Sequence, residues 1–410
     1  MAECRAPAEG RPPTPHRPFF GLGLALLALS GLWWWLALLA RWQGWPLPWA
    51  VSPGLTHGLL FGGGAMPCFI AGFVFTAGPR WLRVPALPAR ALRRPVWLAG
   101  LGWTLVVPGL HLAAALAGLG LLLVTLAWAT LWLRAGWMLA ASEVGDRLHL
   151  RGIHRVWLLG LCGLALLALA LLAGQETWLR RGLQLVLWWS LLPIFLLALH
   201  RMVPMFAEPA AGTQAAGRLP VPERGLLWAG LAACAWGGAW QLLVPASPPV
   251  WAGALRAGVE GFAALLLLVQ AWHWRSMARL PLMALLLCGG LWLALGAGLS
   301  ALSSFLQAGG RQGLGLASLH AVFAGGLTSL MMAQVSRVAS ANAGRSLAVD
   351  RPLMGLFLLL QSAVLLRLWA ALGMAQAQAV LPLSALLWGL AMAGWAWRLL
   401  GWLKLHGTAA

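Results

Sequence analysis

The sequence predicts an all-α polytopic membrane protein of about twelve transmembrane helices, with its N- and C-termini cytoplasmic. Three observations predict it. The 410 residues are 61% hydrophobic and only 9% charged, with mean hydropathy +0.81, whereas soluble domains carry about 25% charged residues. Apolar runs of about 20 residues, enough to cross a ~30 Å hydrocarbon layer, recur down the chain. Arginines gather in alternate loops between those runs, as cytoplasmic loops require.

The net charge of +19 does not point to nucleic acid. The basic residues stand singly or in small groups between apolar runs and build no basic face. Clear cytoplasmic loops are "PRWLRVPALPARALRR" (Pro79–Arg94) and "SEVGDRLHLRGIHR" (Ser142–Arg155). Tyr is absent and Trp occurs 28 times. Many of these tryptophans, such as Trp42, Trp45, Trp178 and Trp251, fall at run ends, the headgroup level at which an amphipathic ring settles. None of Cys4, Cys68, Cys162, Cys234 and Cys288 forms a C-x-x-C pair, which excludes a disulfide framework or a zinc ribbon. The polar, proline-rich start carries no cleavage-type motif, so no signal peptide is expected.

In chain order the spans are expected near 19–40, 55–77, 96–112, 114–138, 156–173, 182–206, 225–244, 254–273, 281–305, 314–338, 353–373 and 380–403. The third and fourth run together in "VVPGLHLAAALAGLGLLLV", where Pro108 and Gly109 are expected to make the turn or to kink one longer helix. Pro204 is expected to break the sixth. The domain reading is a cytoplasmic tail (1–18), a first six-helix half (19–206), a linker loop (207–224), a second six-helix half (225–404) and a short tail (405–410).

Ionisable side chains are costly inside a bilayer, so each is a site candidate. His57 opens the second span and His320 the tenth, both near the outer face, with His111 at a similar level. Neutral imidazoles on separate helices at one depth suit a metal or haem iron; interfacial histidines bonded to carbonyls are the plainer alternative. Cys68 and Met331 each stand eleven residues after a histidine, close to three α-helical turns, which would set a soft sulfur below each imidazole. Both are also ordinary core residues. On the cytoplasmic side lie His200 and Arg201 in "HRMVPMF", with Arg337 and Arg345 at the end of the tenth span. Guanidinium groups there could hold the carboxylates of a cofactor, or could be topology arginines. Glu260 is the single acid set well inside a span. No Ser/His/Asp set emerges from spacing, which leaves open whether the protein is an enzyme.

Four segments carry a family resemblance: "RPFF" (Arg17–Phe20), "GFVFTAGPRWL" (Gly72–Leu82), "HRMVPMF" (His200–Phe206) and "LHAVFAGGLTSLMMAQVSRVASANAGRSLAVDRP" (Leu319–Pro352). Together they resemble the NnrS family of bacterial membrane proteins. The resemblance implies twelve spans in the inner membrane, haem and copper as cofactors, and a role in nitric-oxide metabolism and resistance to nitrosative stress. It implies His57, His200, His320, Arg201, Arg337 and Arg345 as cofactor-binding residues; the metal ligands expected from depth and spacing are His57, His320, Cys68 and Met331. Asn342 stands where the family has a second histidine, and Leu55 and Gly58 depart from its H-x-H-E start. A single haem, haem without copper, or no redox centre are the outcomes these departures allow. Expected partners are membrane lipids, haem or a metal ion, nitric oxide, and a respiratory or denitrification protein. A secondary transporter of a small or hydrophobic solute, working through Glu260, is the alternative function. An assembly partner of a respiratory complex is a third.

Overall fold

The structure, a computed structural model, describes residues 15–211, 224–243, 249–343 and 349–404. Among them are twelve helices long and apolar enough to cross a membrane. These are α1 (His16–Gln43), α2 (Pro53–Leu82), α3 (Arg90–Leu112), α4 (Ala114–Ala140), α5 (Leu148–Leu172), α6 (Glu176–Val203), α7 (Arg224–Leu243), α8 (Val250–Trp274), α9 (Pro281–Ala308), α10 (Ala317–Ala341), α11 (Arg351–Ala371) and α12 (Ala377–Leu403). Hydrocarbon offers no hydrogen-bond partners, so each crossing must satisfy its own backbone, and the helix does so. Ends are closed locally. Gly44 takes the left-handed conformation after α1, and the Asp350 carboxylate accepts the Leu353 N–H to start α11.

Two expected breaks fall elsewhere. α3 runs straight through Pro108 and Gly109, and the reversal into α4 is made by Ala113 alone, in extended conformation. Gly109 serves a different purpose. A Cβ at this position would lie 2.3 Å from the Ala117 backbone nitrogen, so the missing side chain lets the two helices touch. The helix of α6 likewise continues past Pro204 to Ala211. Of the expected linker, residues 212–223 lie outside the described residues, as does Arg345.

The burial pattern ranks the spans. α2, α6 and α10 are 83%, 72% and 78% buried, whereas none of the other nine exceeds 50%. These three form the centre of the bundle and are spaced four spans apart in the chain. The others pack around them chiefly in runs: α3, α4 and α5; α7, α8 and α9; and α11, α12 and α1. Each central helix holds one π-helical segment: Leu59–Ala65, Leu185–Leu191 and Ala321–Leu327. Trp188 and Phe323 meet edge to face between two of these segments, with ring centroids 5.6 Å apart. A polar stitch crosses the core nearby. Gln361 of α11 accepts the Trp292 indole N–H at 2.6 Å and donates to Ser329 at 3.0 Å.

An even number of crossings places the start of α1 and the end of α12 at one end of the bundle, the terminal end. The charge bias of the loops predicts that this end faces the cytoplasm.

Candidate functional site

The far end, opposite the termini, gathers three of the basic groups of the membrane-spanning segments. His57 is the fifth residue of α2, His320 the fourth of α10, and Arg367 the fifth from the end of α11. All three are half-buried. The Arg367 guanidinium lies within electrostatic range of both imidazoles, and the imidazoles within range of each other. Among the described residues Arg367 has no hydrogen bond and no carboxylate partner.

Each imidazole is held without using up its ligating capacity. His320 Nδ1 lies 2.9 Å from the Leu316 carbonyl oxygen, one turn earlier. A carbonyl only accepts, so Nδ1 carries the proton and the Nε2 lone pair stays open. His57 stacks on Trp34, with centroids 4.4 Å apart and planes 13° apart, and makes no hydrogen bond among the described residues. Trp34 stacks in turn on Trp33, whose indole N–H donates to His111 Nε2 at 2.8 Å. His111 Nδ1 donates to the Pro48 carbonyl at 2.8 Å. Both His111 ring nitrogens are thus engaged, so this histidine buttresses the aromatic stack. The π-helical segments follow His57 by two residues and His320 by one, and such segments recur at functional sites.

The sulfur stripe expected below the two histidines assumes unbroken α-helix. The π-segments lie between His57 and Cys68 and between His320 and Met331, so eleven residues no longer close on three turns. Cys68 is fully buried, its thiol bonded to the Gly64 carbonyl, and Met331 is 1% exposed. Among the described residues no three His, Cys, Asp or Glu side chains converge as a bare metal ion would need.

The terminal end holds a second histidine pair. His149, in the first turn of α5, and His200 of α6 approach to 2.9 Å between Nε2 and Nδ1, with their rings stacked at 5.1 Å. Arg201 lies over the Trp81 ring at 5.8 Å. Arg337 is half-buried in the last turns of α10. The structure therefore parts the expected residues by end: His57 and His320 at one, His200, Arg201 and Arg337 at the other. The sequence reading missed Arg367 and His149. Arg367 closes an apolar run, where an arginine looks like a topology residue. His149 lies in an arginine-rich stretch that reads as loop but is already helix.

The model of the family described as NnrS protein matches residues 13–405. The chain belongs to the NnrS family. A search of the curated proteins finds no match. In this NnrS-family chain the match runs through both histidine pairs and Arg367.

Proposed function

We propose that this NnrS-family protein holds haem at the far end of its bundle, through His320 Nε2 and the His57 ring, in the service of the nitric-oxide response. The single observation that carries the reading is two imidazoles, on separate central helices, each with an open ring nitrogen, beside an arginine that has no hydrogen bond or carboxylate partner among the described residues. The donor set fits haem better than a bare ion. Haem would bring most of its iron's donors with it and would ask the protein for only one or two more, whereas protein-bound zinc or copper needs three or four side chains. Arg367 would face the carboxylates of the macrocycle, which a guanidinium holds in a fork. The Trp34 face fixes the His57 ring, and the Leu316 carbonyl fixes the His320 tautomer. When bound, haem iron supplies a position at which a diatomic gas coordinates.

Copper finds no comparable set, with Cys68 and Met331 sealed in the core. By the loop charges the site lies on the extracytoplasmic side of a bacterial inner membrane, where a respiratory or denitrification partner would dock. The test is the visible spectrum and metal content of the purified protein. A Soret band at about one haem per chain, lost in His320→Ala, is expected. A colourless, iron-free preparation from haem-supplemented cells overturns the reading.

A further inference from the structure

The second feature that costs energy inside this bundle is a salt bridge, and it borders a cavity. In α8, Arg256 Nε donates to Glu260 Oε1 at 2.8 Å, with the two side chains 16% and 11% exposed. Ser304 of α9 donates to Glu260 Oε2 at 3.2 Å, and Arg256 Nη2 reaches the Ser300 hydroxyl at 3.5 Å. Trp240 of α7 lies under the guanidinium at 5.2 Å. Glu260 is the eleventh residue of α8, about 15 Å from the far end at 1.5 Å per residue. A charge pair at that depth marks a functional site by default.

Below the pair is a cavity of about 160 Å³, bounded by α6, α7, α8, α9 and α10. Glu260 and Ser300 line it toward the far end, and Gln270 and His200 toward the terminal end; nearly all the rest of the wall is apolar. A cavity of about 150 Å³ accommodates a benzene-sized ring. Its outer wall is thinly held, since α7 and α8 are 22% and 17% buried, the lowest of the twelve spans. That wall is the part of the bundle least covered by other helices.

The polar end has a chemical sign. Both Glu260 oxygens already accept a hydrogen bond, from Arg256 and from Ser304. Arg256 stands behind this end, and its Nη2 reaches the Ser300 hydroxyl at 3.5 Å, which leaves the Ser300 O–H to donate into the cavity. The end that would meet a headgroup therefore offers the Ser300 hydroxyl as a donor, beside a carboxylate whose two oxygens each already accept a hydrogen bond.

We propose that this cavity binds a lipophilic molecule whose head carries carbonyl acceptors, taken laterally from the bilayer and held beneath the Arg256–Glu260 pair. Two membrane components share that chemistry: a quinone, with its ring carbonyls, and a phospholipid, with its ester carbonyls. The site is separate from the histidines at the far end and stands or falls without them.

Gly290 lines the cavity, and a Cβ there meets nothing within 4 Å. Gly290→Leu therefore fills the space without pressing on the backbone. The experiment is native mass spectrometry of the full chain in detergent, titrated separately with decylubiquinone and with dioleoyl phosphatidylethanolamine. One saturable adduct per chain is expected with one of the two probes. Its affinity should fall about tenfold in Gly290→Leu and severalfold in the paired variant Arg256→Gln with Glu260→Gln, which keeps the shape and removes the charges. A quinone adduct that survives excess phospholipid assigns a quinone site, and the converse assigns a lipid site. No saturable adduct with either probe overturns the proposal, as does an adduct undiminished in Gly290→Leu. Should that variant fail to fold, unchanged affinity in the charge-neutral pair overturns it equally.

Discussion

The two ends of the bundle each carry a pair of histidines on neighbouring helices, and the pairs differ in what their ring nitrogens do. At the terminal end His149 and His200 bond each other at 2.9 Å. At the far end His320 spends one nitrogen on a backbone carbonyl and His57 spends none among the described residues, so two imidazoles within electrostatic range of each other keep lone pairs uncommitted. A histidine bonded to a histidine satisfies a buried polar group, which hydrogen bonding does at modest net gain. A histidine fixed by a carbonyl behind it is poised to ligate. Residue type and depth are the same at both ends; the partner of each nitrogen separates anchor from ligand.

The contrast breaks first on the spectrum. His57→Ala and His320→Ala should each abolish or grossly alter the Soret band, while His149→Ala and His200→Ala leave it in place. Equal loss from both pairs in well-folded protein would move the cofactor or require one at each end. Next in size is Arg367→Gln. The band should persist, with haem affinity about tenfold weaker, as for a lost charge-assisted contact. Arg367→Lys should recover only part, because a point charge lacks the fork. Competition against a haem scavenger reads this directly, and wild-type affinity in Arg367→Gln removes the arginine from the site.

Smaller effects sharpen the terminal end. His149→Ala strands the His200 Nδ1 side of the pair and should cost about 1–3 kcal/mol of stability, read as a lower thermal transition with an unshifted Soret maximum. The smallest effect concerns Asp146, in the short loop before α5. The Leu148 backbone N–H, with Arg224 at 3.4 Å adding to it, holds this carboxyl below the ordinary range for Asp. A depressed folded value means that the contribution is present above the unfolded value of about 3.9 and is lost as pH falls through the lower, folded one. Asp146→Asn should therefore flatten the fall in thermal stability below about pH 4 and leave neutral pH almost untouched, given its exposure. An unaltered acid limb in that variant dismisses the effect.

Much of the molecule was legible in advance. All twelve spans fall within several residues of their expected limits, since a bilayer demands about 20 apolar residues whatever surrounds them. His57 and His320 stood out because a titratable group in an apolar run is conspicuous. Arg367 did not, because an arginine toward a run end has an ordinary use, and its place beside two histidines, with no partner among the described residues, is a three-dimensional fact. His149 was hidden for the opposite reason, in a stretch polar enough to pass for loop. The sulfur stripe misled because periodicity assumes one kind of helix, and nothing in the composition of Leu59–Ala65 or Ala321–Leu327 announces a change of pitch.

What the sequence determined by itself was the number of crossings, their approximate positions, and the identity of most of the few polar groups carried into the membrane. Hydropathy acts on each segment separately, so each segment reveals it. Tertiary structure decided which helices occupy the centre, which ring nitrogens remain open among the described residues, and that the Arg367 guanidinium comes to lie beside two histidines. Those are properties of neighbours. In hydrocarbon, where lipid and side chain are equally apolar, small residues and shape choose the neighbours, and their pairing leaves little trace along a single chain.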